Sequence, residues 1–149
     1  MEFGWINLFG AGIVVLMMIP NIIYAARQKQ DATQIKIPRG LSACEQVGRY
    51  GCIILMWLPL LVWKFGFGSA EEFLIYLIGN GVLLLCYYLF WMRYSRKKSI
   101  SNAMALAIIP TAIFLLSGIL LRHWLLVVFA ILFGASHCTI TYMTHKECM

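Results

Sequence analysis

Five long apolar runs constrain this chain more than any other feature. A spanning α-helix needs roughly 20 apolar residues, and the runs extend from about Phe3 to Ala26, Ala43 to Trp63, Phe73 to Met92, Ala103 to Leu121 and Trp124 to Met143. Only 12% of the 149 residues are charged, roughly half the share of a soluble domain. We therefore predict an all-α, polytopic transmembrane helical bundle that forms a single transmembrane domain over residues 1–149.

The boundary between the last two runs depends on length. An unbroken helix from Ala103 to Met143 would rise about 60 Å, which is twice the thickness of the hydrocarbon core. The polar pair Arg122-His123 separates the two apolar segments. We expect a tight hairpin turn at this pair, and hence five spans.

Basic residues sort the loops onto two sides. With five spans, one side carries Arg27, Lys29, Lys36, Arg39, Arg93, Arg96, Lys97, Lys98 and Lys146, whereas the other carries Lys64, Arg122, Glu2, Glu71 and Glu72. Short basic loops are retained in the cytoplasm, so we predict the N-terminus outside and the C-terminus inside. The net charge of +6 indicates contacts with anionic lipid headgroups on the cytoplasmic face and not nucleic-acid binding, because the basic residues stand at the ends of apolar runs.

The cysteines and histidines predict neither a metal nor a cofactor. Five cysteines show no C-x-x-C spacing, and their odd number argues against both a disulfide framework and a zinc site. A bis-histidine haem needs two ligands at matched depth. His137 has no such partner, because His123 lies at the outer turn and His145 lies in the tail.

Glu45 and Arg49 are charged residues within the second run. Four residues apart, they share one face of a helix and can pair. The functional interpretation is an ion or proton site, or an anion contact made by Arg49. The structural alternative is a self-neutralising pair near the interface, combined with a Ser-x-x-Glu capping box formed by Ser42 and Glu45.

Two other polar residues fall at a similar depth. Asn21 follows Pro20, whose ring removes a backbone hydrogen bond and frees a carbonyl group. His137 lies in the inner half of the fifth run. At 1.5 Å per residue, Asn21, Arg49 and His137 all lie about 7 to 10 Å from the cytoplasmic helix ends. We therefore hypothesise that Asn21, Glu45, Arg49 and His137 form one polar cluster, serving either function or helix association.

Asn80 lies midway along the third run, between two glycines. It is interpreted either as a hinge or substrate contact, or as a close helix crossing where an amide bonds across the interface. Pro59 and Pro110 are expected to kink the second and fourth helices. Trp91, near the end of the third run, is expected at the headgroup boundary.

Three segments carry a family resemblance: residues 18–25 (Met-Ile-Pro-Asn-Ile-Ile-Tyr-Ala), residues 45–52 (Glu-Gln-Val-Gly-Arg-Tyr-Gly-Cys) and residues 133–137 (Phe-Gly-Ala-Ser-His). Over nearly its whole length the chain resembles a group of small, uncharacterised bacterial multi-span integral membrane proteins. The Pro-Asn-Ile-x-Tyr-Ala and Glu-Gln-x-Gly-Arg-Tyr strings are the most specific parts. The resemblance implies a multi-pass protein of the bacterial cytoplasmic (inner) membrane and assigns no activity.

These observations leave three functional interpretations. The first is a non-enzymatic accessory or partner-binding bundle, in which small-residue faces at Gly10 to Gly12 and Gly48 to Cys52 pack against a second copy or another membrane subunit. The alternative is a small transporter or channel-like protein that uses the cytoplasmic-side polar cluster. The third is an intramembrane enzyme, for which the sequence offers no paired acid and base and no catalytic residue.

Overall fold

A computed structural model describes residues 6–27, 37–58, 60 and 66–147. The described part contains five α-helices, which confirms the all-α prediction. They are α1 Leu8–Arg27, α2 Arg39–Trp57, α3 Ala70–Arg96, α4 Ile100–Leu120 and α5 Trp124–Glu147. The kink predicted at Pro59 lies outside the described residues.

Four of these helices, α1, α3, α4 and α5, are long and apolar enough to cross a membrane. The exception among the described helices is α2, whose 19 residues include Arg39, Glu45 and Arg49. It begins four residues before the predicted start of the second span and ends at Trp57 instead of Trp63. The chain is thus a helical bundle with at least four candidate spans.

The outer surface of the bundle is apolar. Bulky side chains that are more than half exposed occur on all five helices, among them Val15, Ile22, Val47, Tyr50, Leu74, Ile75, Ile78, Val82, Leu85, Met92, Ile108, Ile119, Val128 and Ile131. A water-soluble protein rarely exposes apolar surface on this scale. Exposed apolar surface of this extent is typical of a face that contacts lipid or another protein.

Successive helices run in alternate directions, so the bundle has two distinct ends. At one end the backbone N–H of Asn7 donates to Trp57 O at 2.8 Å, and the guanidinium of Arg122 lies 3.2 Å from the Glu72 carboxylate. The opposite end carries most of the described basic residues: Arg27, Arg39, Arg93, Arg96, Lys97, Lys98 and Lys146. We call these the acidic end and the basic end. The charge sorting expected from the sequence is therefore present in three dimensions.

The helix α5 lies between α2 and α4, while α3 packs against α4, and α1 packs against α2 and α3. Glycines on α2 allow this helix to approach α5 closely. A Cβ atom on Gly48 would lie 2.8 Å from the backbone of Phe133, and one on Gly51 would overlap the Phe129 ring. The Gly48 to Cys52 face, which the sequence suggested as a partner surface, is thus occupied within the chain.

The hairpin predicted at Arg122-His123 is confirmed. Arg122 adopts a left-handed conformation with φ 54°, and the backbone N–H of His123 donates to Gly118 O at 2.8 Å. The His123 side chain is fully buried, and its Nδ1 accepts the backbone N–H of Leu126 at 3.1 Å. The imidazole therefore caps the first turn of α5. Its burial lowers the pKa of His123.

The carbonyl group that Pro20 leaves without a helical donor is hydrogen-bonded to another helix. Leu16, four residues earlier, would receive the N–H that proline lacks. Its carbonyl oxygen instead accepts the Tyr88 hydroxyl of α3 at 2.6 Å. This bond joins α1 to α3.

The capping box predicted at Ser42 and Glu45 is wrong. The helix α2 begins at Arg39, with Pro38 before it and no side-chain cap bond. Ser42 therefore lies inside the helix, and Glu45 is not part of an N-terminal cap. The same Ser-x-x-Glu pattern acts at Ser69, which accepts the Glu72 backbone N–H at 3.2 Å. Glu72 in turn accepts the Gly68 N–H at 2.6 Å.

Candidate functional site

A cavity of about 350 Å³ opens inside the basic half of the bundle. Every helix contributes to its wall. The contributions include Asn21 from α1, Arg49 from α2, Trp91 from α3, Leu106 from α4 and His137 from α5. Cavities of this size are typical of small-molecule sites.

The cavity extends along the helix axes. Its lining residues on α5 reach from His145 to Phe133, and those on α4 reach from Ala103 to Phe114. At 1.5 Å per residue these stretches span about 17 to 18 Å. The cavity therefore reaches from the basic end to about the middle of the bundle.

Glu45 joins two basic side chains behind the cavity wall. One turn along α2, the Arg49 guanidinium pairs with Oε1 of Glu45, and Nδ1 of His137 on α5 lies 3.2 Å from the same oxygen. Glu45 is only 4% exposed, and a buried carboxylate is costly unless it is paired and hydrogen-bonded. The two partners meet that requirement, and we call the three residues the Glu45 triad.

The triad presents positive groups to the cavity. Arg49 and His137 line it, whereas Glu45 does not. Because a carboxylate only accepts, His137 donates Nδ1–H to Glu45, and Nε2 is the ring nitrogen left for a ligand. The imidazole is held by stacking on Phe133, with ring centroids 4.9 Å apart and planes 18° apart. The triad has no net charge with a neutral imidazole and +1 with a protonated one.

Asn21 lies apart from the triad. It lines the same cavity, but its amide donates to Met17 O on its own helix at 3.3 Å. The structure thus brings three of the four expected residues together and places the fourth on the α1 wall. Asn21 is therefore a lining residue whose described hydrogen bond stays within α1.

Aromatic side chains form much of the remaining wall. Tyr24 of α1 packs on Trp91 and Tyr94 of α3, with ring centroids 5.0 and 5.9 Å apart. Tyr94 donates its hydroxyl to Nε2 of His145 at 3.1 Å, and Nδ1 of His145 donates to Thr141 O at 3.0 Å. His145, which the sequence placed in a tail, belongs to α5 because that helix continues to Glu147.

Sequence reasoning missed these wall residues, although helical spacing could have found them. Tyr87, Trp91 and Tyr94 recur at intervals of four and three, which places them on one face of α3. His137 and His145 are two turns apart on α5 and also share a face. Trp91, which is near the basic end of α3, lines the cavity.

Asn80 belongs to a different polar cluster, in the acidic half of the bundle. Its amide donates to Tyr76 O at 2.9 Å, and its carbonyl oxygen accepts the Ser117 hydroxyl of α4 at 3.4 Å. Asn7 donates to the Tyr76 hydroxyl at 3.4 Å and accepts the Gly10 N–H at 3.0 Å. The cluster links α1, α3 and α4, and Asn80 sits at a helix crossing.

The described cysteines are free thiols. Cys52 is buried and Cys44 is exposed, with Cys86 and Cys138 between these extremes. Among the described residues, no three His, Cys, Asp or Glu side chains are grouped as metal ligands would be. The features of the cavity that bear on a ligand are its charged residues, its aromatic wall and its shape.

Comparisons of the chain with protein-family models, with curated proteins and with solved structures give no match.

Proposed function

We propose that this protein is a small transporter of the bacterial cytoplasmic membrane that binds its substrate in the cavity at the basic end. The observation that carries the proposal is the position of the Glu45 triad. It holds charged groups against a cavity of about 350 Å³ inside an apolar helical bundle. Ionisable residues at such depth are costly and commonly mark substrate or ion pathways.

The proposed topology has five spans, with the N-terminus outside and the C-terminus inside. The span added to the four apolar ones is α2, in which Glu45 pairs with both Arg49 and His137. A helix packed among others can carry such residues, because they face the bundle interior. The basic end then faces the cytoplasm, and its exposed Arg and Lys side chains contact anionic lipid headgroups. The resemblance to small bacterial multi-span proteins supports the location.

Two prolines beside the cavity support a moving wall. Pro110 lines the cavity, and Pro20 precedes the lining residue Asn21. Each proline removes one backbone hydrogen bond from a helix that continues through it, which makes that helix easier to bend. The accessory interpretation, in contrast, loses one of its two proposed partner surfaces, because Gly48 and Gly51 pack on α5 within the chain.

Cysteine accessibility tests the proposal with a matched pair of variants. Leu106→Cys places a thiol on the cavity wall, whereas Ile108→Cys places one on the same helix at a position 52% exposed on the outside of the bundle. Both would be made in a chain whose five native cysteines are replaced by alanine. A membrane-impermeant methanethiosulfonate is then applied to right-side-out cells and to inverted vesicles.

A transporter requires access to the cavity from each side in turn. We expect Leu106→Cys to react from both faces, faster from the basic one, and Ile108→Cys to react from neither because lipid covers it. Labelling of Leu106→Cys from the basic face alone would contradict transport and leave a binding cavity. No labelling from either face would contradict both.

A further inference from the structure

The lining of the cavity changes along its length. Arg49, His137, Thr141 and His145 line the cavity from α2 and α5. One helical turn beyond Arg49 and His137, its inner end is lined by the apolar residues Ile53, Phe114 and Phe133. A ligand that matches this wall has a polar group at one end and an apolar body at the other.

The lining residues also indicate the sign of the charge that a ligand would carry. No Asp or Glu is among the lining residues of the described cavity, and Arg49 is its one permanently charged lining residue. The Arg49 side chain is 38% exposed, and a guanidinium offers five N–H donors, whereas Glu45 accepts one of its NH₂ groups. His137, once protonated, presents a second donor through Nε2.

The surroundings favour the same sign. The basic end carries Arg27, Arg93, Arg96, Lys97 and Lys98 beyond the cavity mouth. Clustered positive charge raises the local concentration of anions. A cation would meet repulsion at this rim, whereas an anion could accept the N–H groups of Arg49 that Glu45 leaves free.

We infer that the cavity binds an organic monoanion with an apolar body, of the carboxylate or phosphate-ester class. The anionic group lies at Arg49 and His137, and the apolar body lies beyond them, against Ile53 and Phe114. This inference deepens the proposed function and depends on the cavity being a substrate site. Arginine suits the role because its planar fork binds carboxylate and phosphate with two parallel hydrogen bonds.

Three probes of one shape test the charge preference. They are 2-naphthoate, the neutral 2-naphthylmethanol and the cationic 2-naphthylmethylammonium. Each is titrated by calorimetry into the full-length protein in phosphatidylcholine nanodiscs, and the signal from empty nanodiscs is subtracted. We expect naphthoate to bind about tenfold or more tightly than the alcohol, as a charge-assisted hydrogen bond predicts, and the ammonium probe to bind most weakly.

Arg49→Gln should weaken naphthoate binding by about tenfold to a hundredfold and leave binding of the alcohol unchanged. The matched control is Arg93→Gln, which removes the same charge from the same end but outside the cavity. Its effect on naphthoate should be less than about threefold, because solvent screens that charge.

Arg49→Gln also deprives Glu45 of a partner, so a second pair of variants leaves the triad intact. Leu106→Trp fills the cavity and should abolish binding of naphthoate, whereas Ile108→Trp adds the same bulk on the lipid side and should not. Equal affinity for the three probes, tightest binding of the ammonium, or equal losses from Arg49→Gln and Arg93→Gln would each overturn the inference.

The anion could be soluble or carried by a lipid, and one further arm separates these sources. In nanodiscs that contain phosphatidylglycerol, weaker naphthoate binding indicates competition by a lipid phosphate, and unchanged binding indicates a soluble organic anion. Both results agree with an anion site. If naphthoate fails to bind while Leu106→Cys is still labelled from both faces, the ligand class is wrong and the transporter proposal stands.

Discussion

The buried imidazole of His123 makes the stability of this bundle depend on pH. Its Nδ1 accepts the backbone N–H of Leu126 at 3.1 Å, which requires a ring without a proton on that nitrogen. A protonated imidazole has no acceptor, so acid removes the cap from α5. Burial acts in the same direction, because it disfavours the charged ring and lowers the pKa of His123.

The sign and size follow from proton linkage. Since the pKa of His123 is lower in the folded state than its ordinary value of 6.5, the unfolded chain binds more protons. The stabilising contribution is present above about pH 6.5 and is lost as the pH falls. Between about pH 7.5 and about pH 5.5 the free energy of unfolding should fall by up to about 1.4 kcal/mol, the limit reached if the folded ring stays neutral throughout.

The matched variant is His123→Asn. Asparagine is a good N-cap residue, so it can keep the hydrogen bond to the first turn of α5 while removing the titration. Unfolding by dodecyl sulfate in mixed micelles, followed by circular dichroism at both pH values, gives the free energy of each protein. Every other residue is the same in both proteins, so the difference in pH dependence reports His123 alone.

We expect the wild-type protein to lose more stability on acidification than His123→Asn. A constant offset between the two proteins is also expected, because the smaller side chain leaves space at a fully buried position. The same pH dependence in both proteins, or a wild-type protein that gains stability relative to the variant in acid, would refute the reasoning.

Three other predictions concern packing and capping and use the same unfolding assay. Gly48→Ala should lower the free energy of unfolding by about 1 to 3 kcal/mol because the added Cβ meets the backbone of α5. Gly12→Ala is the control, and it should not destabilise the bundle because the space around Gly12 is open. Equal effects of the two substitutions would contradict the close packing of α2 on α5. Ser69→Ala should cost about 1 kcal/mol through the lost cap on α3, whereas Ser42→Ala should cost less than half as much. Tyr88→Phe should cost about 0.6 to 2 kcal/mol by leaving the proline-freed carbonyl of α1 without its donor, and no loss would show that this bond contributes nothing.

The sequence predicted how far most residues of the candidate site lie from the helix ends. Glu45, Arg49 and His137 could be placed at one level because helix rise is constant, and the i,i+4 spacing of the first two made their pairing predictable. The convergence of α2 and α5 could not be read this way. It depends on which helix faces pack together, and here the fit of Gly48 against Phe133 decides it.

The capping-box interpretation failed because a pattern of two residues does not say where a helix begins. Ser42 and Glu45 match the pattern, but α2 begins earlier. The sequence places Trp91 near a span end. Its packing on Tyr24 at 5.0 Å could not be predicted, because it depends on α1 lying beside α3.

The sequence by itself determined the helices, the hairpin at Arg122-His123 and the gathering of basic residues at one end. These features depend on hydropathy, segment length and charge, each of which can be read from a short stretch of sequence. Only the tertiary structure decided that α5 lies between α2 and α4 and that one cavity takes residues from all five helices. In an apolar environment many helix arrangements bury similar surface, so close packing of small residues and the pairing of buried polar groups select among them.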